Sequence, residues 1–123
     1  MTGKPTSTHL GEFEQLLLFA LVRVGDDAHG VALRQEIEQR TGREISAGAV
    51  YTAMDRLETR GFVSSRIGEP TAQRGGRRKK HYRLEPAGAT ALSRSYAALS
   101  EMAKGLGAKL AGLTTPEPGT QGS

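Results

Sequence analysis

Apolar side chains recur at helical spacing in four stretches of the chain, with polar loops between them. The first stretch predicts a helix over residues 11–24 whose apolar side chains cover two faces, so we expect both faces to be buried. The second predicts a helix over residues 30–42, with three side chains facing inward: Val31, Leu33 and Ile37. The polar residues 1–9, which precede both helices, predict a flexible arm.

The third stretch predicts a helix over residues 46–60 and has the clearest boundaries. Ser46 is a good N-cap residue, and Gly61 suits the position after the helix, where a left-handed backbone is favoured. The buried stripe of this helix should be Val50, Met54 and Leu57. Two β-prone runs at residues 62–67 and 80–84 flank a segment rich in Gly, which predicts a hairpin with a long tip.

The fourth stretch predicts one helix from Pro86 to Leu113, followed by a disordered tail over residues 114–123. Its apolar side chains step alternately by four and three residues, which is the pattern of a coiled-coil seam. The members of the seam are Leu92, Tyr96, Leu99, Ala103, Leu106, Leu110 and Leu113. This seam could pack on the first helix of the same chain or on a second copy. We favour the second copy, because one small domain cannot cover so long an apolar stripe.

These elements predict a mainly α-helical fold with a small β-hairpin. A winged helix-turn-helix domain would occupy residues 10–85, and a dimerisation helix would occupy residues 86–113. In such a fold the helix over 46–60 reads the major groove of DNA, and the hairpin tip, here residues 68–80, forms the wing.

Charge is distributed unevenly along the chain. The net charge is +4, yet the segment from Arg66 to Arg83 alone holds seven Lys or Arg side chains and one acid, Glu69. This concentration favours nucleic acid as the partner over a membrane surface. The chain has no cysteine, which excludes a disulfide framework, and it has no apolar run of membrane-spanning length. We therefore expect a cytoplasmic protein.

The wing tip is the first candidate site. Its glycines let the backbone approach a phosphodiester chain closely, and its cations can neutralise phosphates and release counterions. The candidate wing residues are Arg74, Gly75, Gly76, Arg77, Arg78, Lys79 and Lys80. The alternative is that charge merely keeps a solvated loop soluble.

The third helix is the second candidate site. Small side chains at its start, Ala47 and Gly48 beside Ser46, would let it lie deep in a major groove, with Thr52 and Arg56 on the contacting turns. Tyr51 could bind a phosphate through its hydroxyl or pack against the second helix. Arg56 could likewise reach base edges or pair with neighbouring carboxylates.

Catalysis and metal binding have little support in the sequence. His9, His29 and His81 are far apart and lack the spacing of metal ligands, and no Ser or Thr has an evident base. No phosphate-binding Gly-x-x-x-x-Gly-Lys motif occurs. We predict no enzyme, no metal and no cofactor.

Several motifs together resemble the PadR-like family of bacterial transcriptional regulators, in its short form with a single C-terminal helix. They are Gly30-x-x-Leu33, Gly48-Ala49-Val50-Tyr51, Leu57-Glu58-x-x-Gly61-Phe62-Val63 and Arg78-Lys79-x-x-Tyr82-Arg83-Leu84-x-Pro86-x-Gly88. The resemblance implies a homodimeric winged-helix repressor of double-stranded DNA, whose C-terminal helix packs against the partner's first helix. A module that binds protein or RNA, without a DNA operator, is the alternative.

The resemblance also implies an interface between two copies and a ligand for it. The expected dimer interface comprises Phe19, Leu92, Tyr96, Leu99, Ala103, Leu106 and Leu110. Short members of the family can bind flat hydrophobic compounds at this interface. A pocket for such an effector would be lined by Phe19, Tyr96, Leu99 and Met102, which could equally be plain dimer core.

Overall fold

The computed structural model describes residues 9–25, 27–68 and 80–114. Its elements follow one another as α1 (Glu12–Val24), β1 (Ala28–His29), α2 (Gly30–Thr41), α3 (Ala47–Thr59), β2 (Val63–Ile67), β3 (Lys80–Leu84), α4 (Pro86–Ala103) and α5 (Gly107–Leu113). The predicted arm up to residue 8, the wing residues 69–79 and the predicted tail from residue 115 lie outside the described residues.

One core joins the first three helices to the sheet. Its largest buried side chains are Leu17, Leu18, Leu21, Leu33, Val50, Met54, Leu57 and Tyr82. The prediction for α2 is wrong at one position, because Val31 is 41% exposed. The inward stripe of α2 is set by Leu33 and Ile37, and Val31 lies two residues from Leu33, about 200° around the helix.

The boundaries of α3 follow the predicted capping signals. The Ser46 hydroxyl oxygen accepts a hydrogen bond from the Ala49 amide at 3.0 Å. At the other end Gly61 has a φ of +80°, and the Phe62 amide donates to the Leu57 carbonyl at 2.9 Å. A left-handed glycine thus ends the helix and turns the chain into β2.

The sheet contains one strand more than the sequence predicted. β2 and β3 form the expected antiparallel pair, and β1 adds to the outer edge of β3 to give the order β1-β3-β2. Tyr82 lies in the central strand, opposite Ala28 and Ser65, and its ring is fully buried. Burial raises the pKa of the Tyr82 phenol to about 12, so the side chain stays neutral.

The predicted single helix over residues 86–113 is broken into two. α4 ends at Ala103, the chain passes through Gly105 with a φ of +77°, and α5 begins at Gly107. A left-handed glycine cannot continue an α-helix, so the four-and-three stepping of the sequence does not form one straight seam. None of the helices in the described ranges is long and apolar enough to cross a lipid bilayer.

The two halves of α4 have different surroundings. Gly88, Ala91 and Leu92 are buried against the rest of the same chain. This corrects the assignment of Leu92 to a dimer interface, because its own core already covers it at 6% exposure. The same side of the helix continues past Tyr96 with nothing over it. Every described residue from Tyr96 onward is exposed.

The start of the fold also differs by one residue from the prediction. His9 was placed in the flexible arm, but its carbonyl accepts a hydrogen bond from the Arg60 guanidinium at 2.7 Å. Leu10, next to it, is buried in the core. The chain is therefore held to the end of α3 from His9 onward.

Candidate nucleic-acid interface

The face of α3 opposite its buried stripe is open to solvent. Gly48, Thr52 and Arg56 are exposed on it, at four-residue spacing along the first three turns, and Ala47, which precedes the buried stripe, is exposed as well. Space at the start of the helix is free, since a Cβ added at Gly48 would meet no atom within 4 Å. The start of α3 is therefore open to an approaching ligand.

Ser46 has a structural role at the start of this face. Its hydroxyl oxygen is the acceptor that caps α3. An acceptor oxygen still carries its own hydrogen, so the cap leaves the hydroxyl able to donate to a phosphate. Its contact with DNA stays a prediction.

Tyr51 is seated on the first residue of α2. A Cβ added at Gly30 would lie 2.8 Å from the Cε1, Cζ and hydroxyl oxygen atoms of Tyr51, so only glycine allows this contact. The packing interpretation of Tyr51 is therefore confirmed. The side chain remains 39% exposed, which leaves its predicted phosphate contact open.

Arg56 differs from other arginines near this face. Arg34 pairs with Glu38 at 3.6 Å, and Arg60 pairs with Glu14 at 3.4 Å while its guanidinium lies over the Phe62 ring. Within the residues that the structure describes, Arg56 forms no ion pair or hydrogen bond through its side chain. Its cation is thus available to a ligand, and the predicted alternative of a carboxylate partner is not seen.

Lys80, which was predicted both in the β-prone run 80–84 and among the wing cations, lies in the strand. It is the first residue of β3, and its ammonium lies 3.5 Å from Asp55 Oδ1 and 3.6 Å from Glu58 Oε1, both on α3. The ammonium is therefore directed at the helix. Sequence reasoning missed both acids as site residues, because their spacing on α3 carries no sign of a partner in a distant strand.

The base of the wing is also held by hydrogen bonds to Asp27, just before β1. Arg66 of β2 donates to Asp27 Oδ1 at 3.1 Å, and His81 Nδ1 lies 2.8 Å from the Asp27 carbonyl oxygen, to which it donates. The hydrogen bond from Arg66 holds the pKa of the Asp27 carboxyl below its ordinary value of 3.8. The ends of β2 and β3 that border the wing are therefore held in place by side-chain contacts. The predicted phosphate ligands Arg74, Gly75, Gly76, Arg77, Arg78 and Lys79 lie outside the described residues.

A second surface, which we call the apolar arm, comprises Tyr96, Leu99 and Met102 of α4 and Leu106, Leu110 and Leu113 beyond it. Met102 is 78% exposed and Leu99 is 57% exposed. Tyr96 touches Phe19 of α1 edge to face, with ring centroids 6.2 Å apart. Two residues of the predicted effector pocket are thus in contact, while Leu99 and Met102 project into solvent. Exposed apolar side chains in this number are typical of an interface with another protein.

No group of three or more His, Asp or Glu side chains suited to a metal ion occurs among residues 9–25, 27–68 and 80–114. The charged groups at the interface pair with one another or face solvent. The site as described offers hydrogen-bond donors, one available guanidinium and an apolar arm. This set is suited to binding rather than to catalysis.

The chain is similar to known regulators in sequence and in fold. The Transcriptional regulator PadR-like family matches residues 17–94. The transcriptional regulator Rv3488 of Mycobacterium tuberculosis is 37% identical over 81 residues, which span 64% of this chain and 69% of that protein.

Solved structures give the same result. A PadR family transcriptional regulator from Eggerthella lenta is 27% identical, with a TM-score of 0.61 over 80% of this chain and 86% of that one. A PadR family regulator from Clostridium difficile has a TM-score of 0.66 at 22% identity, over 81% of this chain and 99% of that one. A winged-helix DNA-binding protein from STIV has a TM-score of 0.63 at 18% identity, over 79% and 97%. The last two similarities show the fold alone.

Proposed function

This chain belongs to the PadR-like family of transcriptional regulators, which are not enzymes, and from that premise we propose that it is a homodimeric, sequence-specific repressor of double-stranded DNA. In this proposal α3 reads base edges in the major groove, and the wing holds the phosphate backbone. A regulator of this kind acts in the cytoplasm, where bacterial DNA lies.

The exposed face of α3 is the observation that supports DNA binding most directly. It presents a small residue, Gly48, first and then Thr52 and the available guanidinium of Arg56, and the sequence between β2 and β3 is strongly cationic. Arg is the residue that most often recognises a base, because its two donors match the acceptors of guanine.

The apolar arm supports the homodimer. A monomer would leave Leu99, Met102 and Leu106 in water, whereas a two-fold partner would cover them with its own α1 and α4. Two copies then present two reading helices, which suits half-sites about 34–36 Å apart. The proposed effector is a flat hydrophobic compound that packs against Phe19, Tyr96, Leu99 and Met102 at this interface, tested by screening such compounds for release of bound DNA.

Replacing Arg56 with Ala is expected to change which sequences are bound. Loss of a bidentate base contact should cost about 1–3 kcal/mol at one base position and relax the preference there. The measurement is the site profile selected from random duplexes by the wild type and by the variant. Gln39→Ala, on an exposed part of α2, should leave the profile unchanged. An unchanged profile for Arg56→Ala would remove this residue as a reader.

Replacing Arg77 and Arg78 with Ala is expected to weaken all duplexes about equally. The log–log slope of affinity against salt should flatten by roughly one unit for each lost phosphate contact. Titrations at several salt concentrations measure it. The control, Arg23→Ala with Arg94→Ala, removes the same charge from exposed positions on α1 and α4. Equal slopes for the two double variants would contradict the wing assignment.

A further inference from the structure

The carboxylate of Glu58 is bound from both strands of the wing. Glu58 Oε2 accepts a hydrogen bond from the Ser65 hydroxyl of β2 at 2.8 Å. Its other oxygen, Oε1, lies 3.6 Å from the Lys80 ammonium of β3. One side chain of the reading helix therefore contacts each strand that leads to the wing tip.

Asp55, one helical turn earlier, completes the cluster. Its Oδ1 lies 3.5 Å from the same Lys80 ammonium, so a single cation bridges two acids of α3. The ammonium also lies 5.9 Å from the centre of the Tyr82 ring. We call Asp55, Glu58, Ser65 and Lys80 the wing–helix clasp.

The clasp is too exposed to serve mainly as a stabiliser of the fold. The Lys80 and Glu58 side chains are each 34% exposed, and the Asp55 side chain is 65% exposed. Ion pairs of this kind contribute about 0–1 kcal/mol. These contacts instead fix the position of β2 and β3 relative to α3. They join the helix proposed to enter the groove to the strands that lead to the phosphate-binding wing.

The pairing of Lys80 with two acids removes a cation that could otherwise bind DNA phosphate. Lys80 directly follows the cations of the tip along the chain, so an unpaired ammonium there would add a phosphate contact. Phosphate contacts raise affinity for every sequence and carry no direct information about bases. Asp55 and Glu58 would repel DNA phosphates if a cation did not neutralise part of their charge.

We propose that Asp55 and Glu58 are positioning residues, which hold Lys80 back from phosphate and fix the wing against α3 so that specific sites are preferred. This inference rests on the proposed function, because it assigns the origin of selectivity to the same interface. A clasped wing fits only DNA whose backbone has the right position relative to α3. Without the clasp, the wing could adjust to the phosphate backbone of any DNA sequence, and Lys80 would add one phosphate contact.

The first arm of the test needs no DNA. The chain has no cysteine, so Ala49→Cys on α3 and Ile67→Cys at the end of β2 give two unique spin-label sites per protomer, and mixing with excess unlabelled protein isolates the distance within one protomer. The distance distribution between the labels should broaden when Asp55→Asn and Glu58→Gln are added. An unchanged distribution overturns the clasp, whatever the protein binds.

The second arm compares a selected duplex with a random duplex across salt concentrations. The Asp55→Asn/Glu58→Gln variant should bind random duplex several-fold more tightly, with a salt slope steeper by about one unit, while its preference for the selected duplex falls. The control, Glu36→Gln/Glu101→Gln, also removes two acids that pair with cations, Arg40 and Lys104, but these pairs lie on α2 and at the end of α4 and contact neither β2 nor β3. It should keep the preference.

A charge-swap variant distinguishes a positioning role of the acids from simple electrostatic repulsion of DNA. Glu58→Lys combined with Lys80→Glu restores an opposite-charge pair at the same place, so it should regain selectivity that either single change loses. If the acid-free variant gains equal affinity for both duplexes and keeps their ratio, the acids only repel DNA and the proposal is wrong. If the wild type prefers no duplex at all, the proposed function fails, and the label distances alone decide the clasp.

Discussion

A Leu99→Asp variant is expected to be a folded monomer that binds duplex DNA at least roughly a hundredfold more weakly than the wild type. Leu99 lies on the side of α4 that continues from the buried Leu92 into open solvent, so a charge there would be buried in a dimer and exposed in a monomer. Losing the partner removes the second reading helix, and paired sites commonly gain a factor of about 10² to 10⁴ over single ones. Sedimentation and DNA titration measure the two effects.

Ala97→Asp is the matched control for that change. Ala97 is also exposed on α4, two residues away and about 200° around the helix, so it faces away from the apolar arm. The control should stay dimeric and keep its affinity. A dimeric Leu99→Asp variant would contradict the assignment of the apolar arm, and a monomer with unaltered DNA affinity would contradict the need for two copies.

Gly88→Ala is expected to lower the free energy of unfolding by about 1–3 kcal/mol, in spite of the better helix propensity of Ala. A Cβ at position 88 would lie 2.2 Å from the Phe62 carbonyl oxygen and 2.9 Å from Leu84 Cδ1. The same carbonyl accepts a hydrogen bond from the Glu85 amide at 3.0 Å, so it cannot move without loss. Denaturant unfolding followed by circular dichroism measures the change.

Gly48→Ala is a suitable control for the Gly88 substitution. Both glycines lie in the first turn of a helix, but an added Cβ at Gly48 meets nothing within 4 Å. This variant should be as stable as the wild type or more stable by up to about 1 kcal/mol. Equal stability of the Gly88→Ala and Gly48→Ala variants would mean that close packing of α4 on Phe62 is not required.

Features with local causes could be predicted from the sequence. The ends of α3 follow from Ser46 and Gly61, which act through hydrogen bonds to residues three to five positions away. The strands around the wing follow from β-prone runs on either side of it. β1 could not be predicted, because two residues carry no periodicity and its pairing depends on β3, more than fifty positions later.

Features that depend on distant packing could not be predicted. The stepping pattern placed Leu92 and Leu99 in one seam, yet only the fold shows that the first is covered by its own domain and the second is not. The break in the predicted helix required a left-handed backbone at Gly105, which composition does not specify. The charge of Lys80 suggested a phosphate, whereas its position in the sheet brings it to Asp55 and Glu58.

We propose that this chain, as a dimer, selects particular double-stranded DNA sequences. The most direct measurement is repeated selection of bound fragments from random duplexes with the purified protein, followed by competition of the enriched duplex against its single strands and against RNA. We predict enrichment of a two-fold symmetric site with half-sites about one helical turn apart, and retention of duplex alone. No enriched sequence, or equal retention of RNA and single strands, would contradict the claim and favour a general nucleic-acid or protein interaction module.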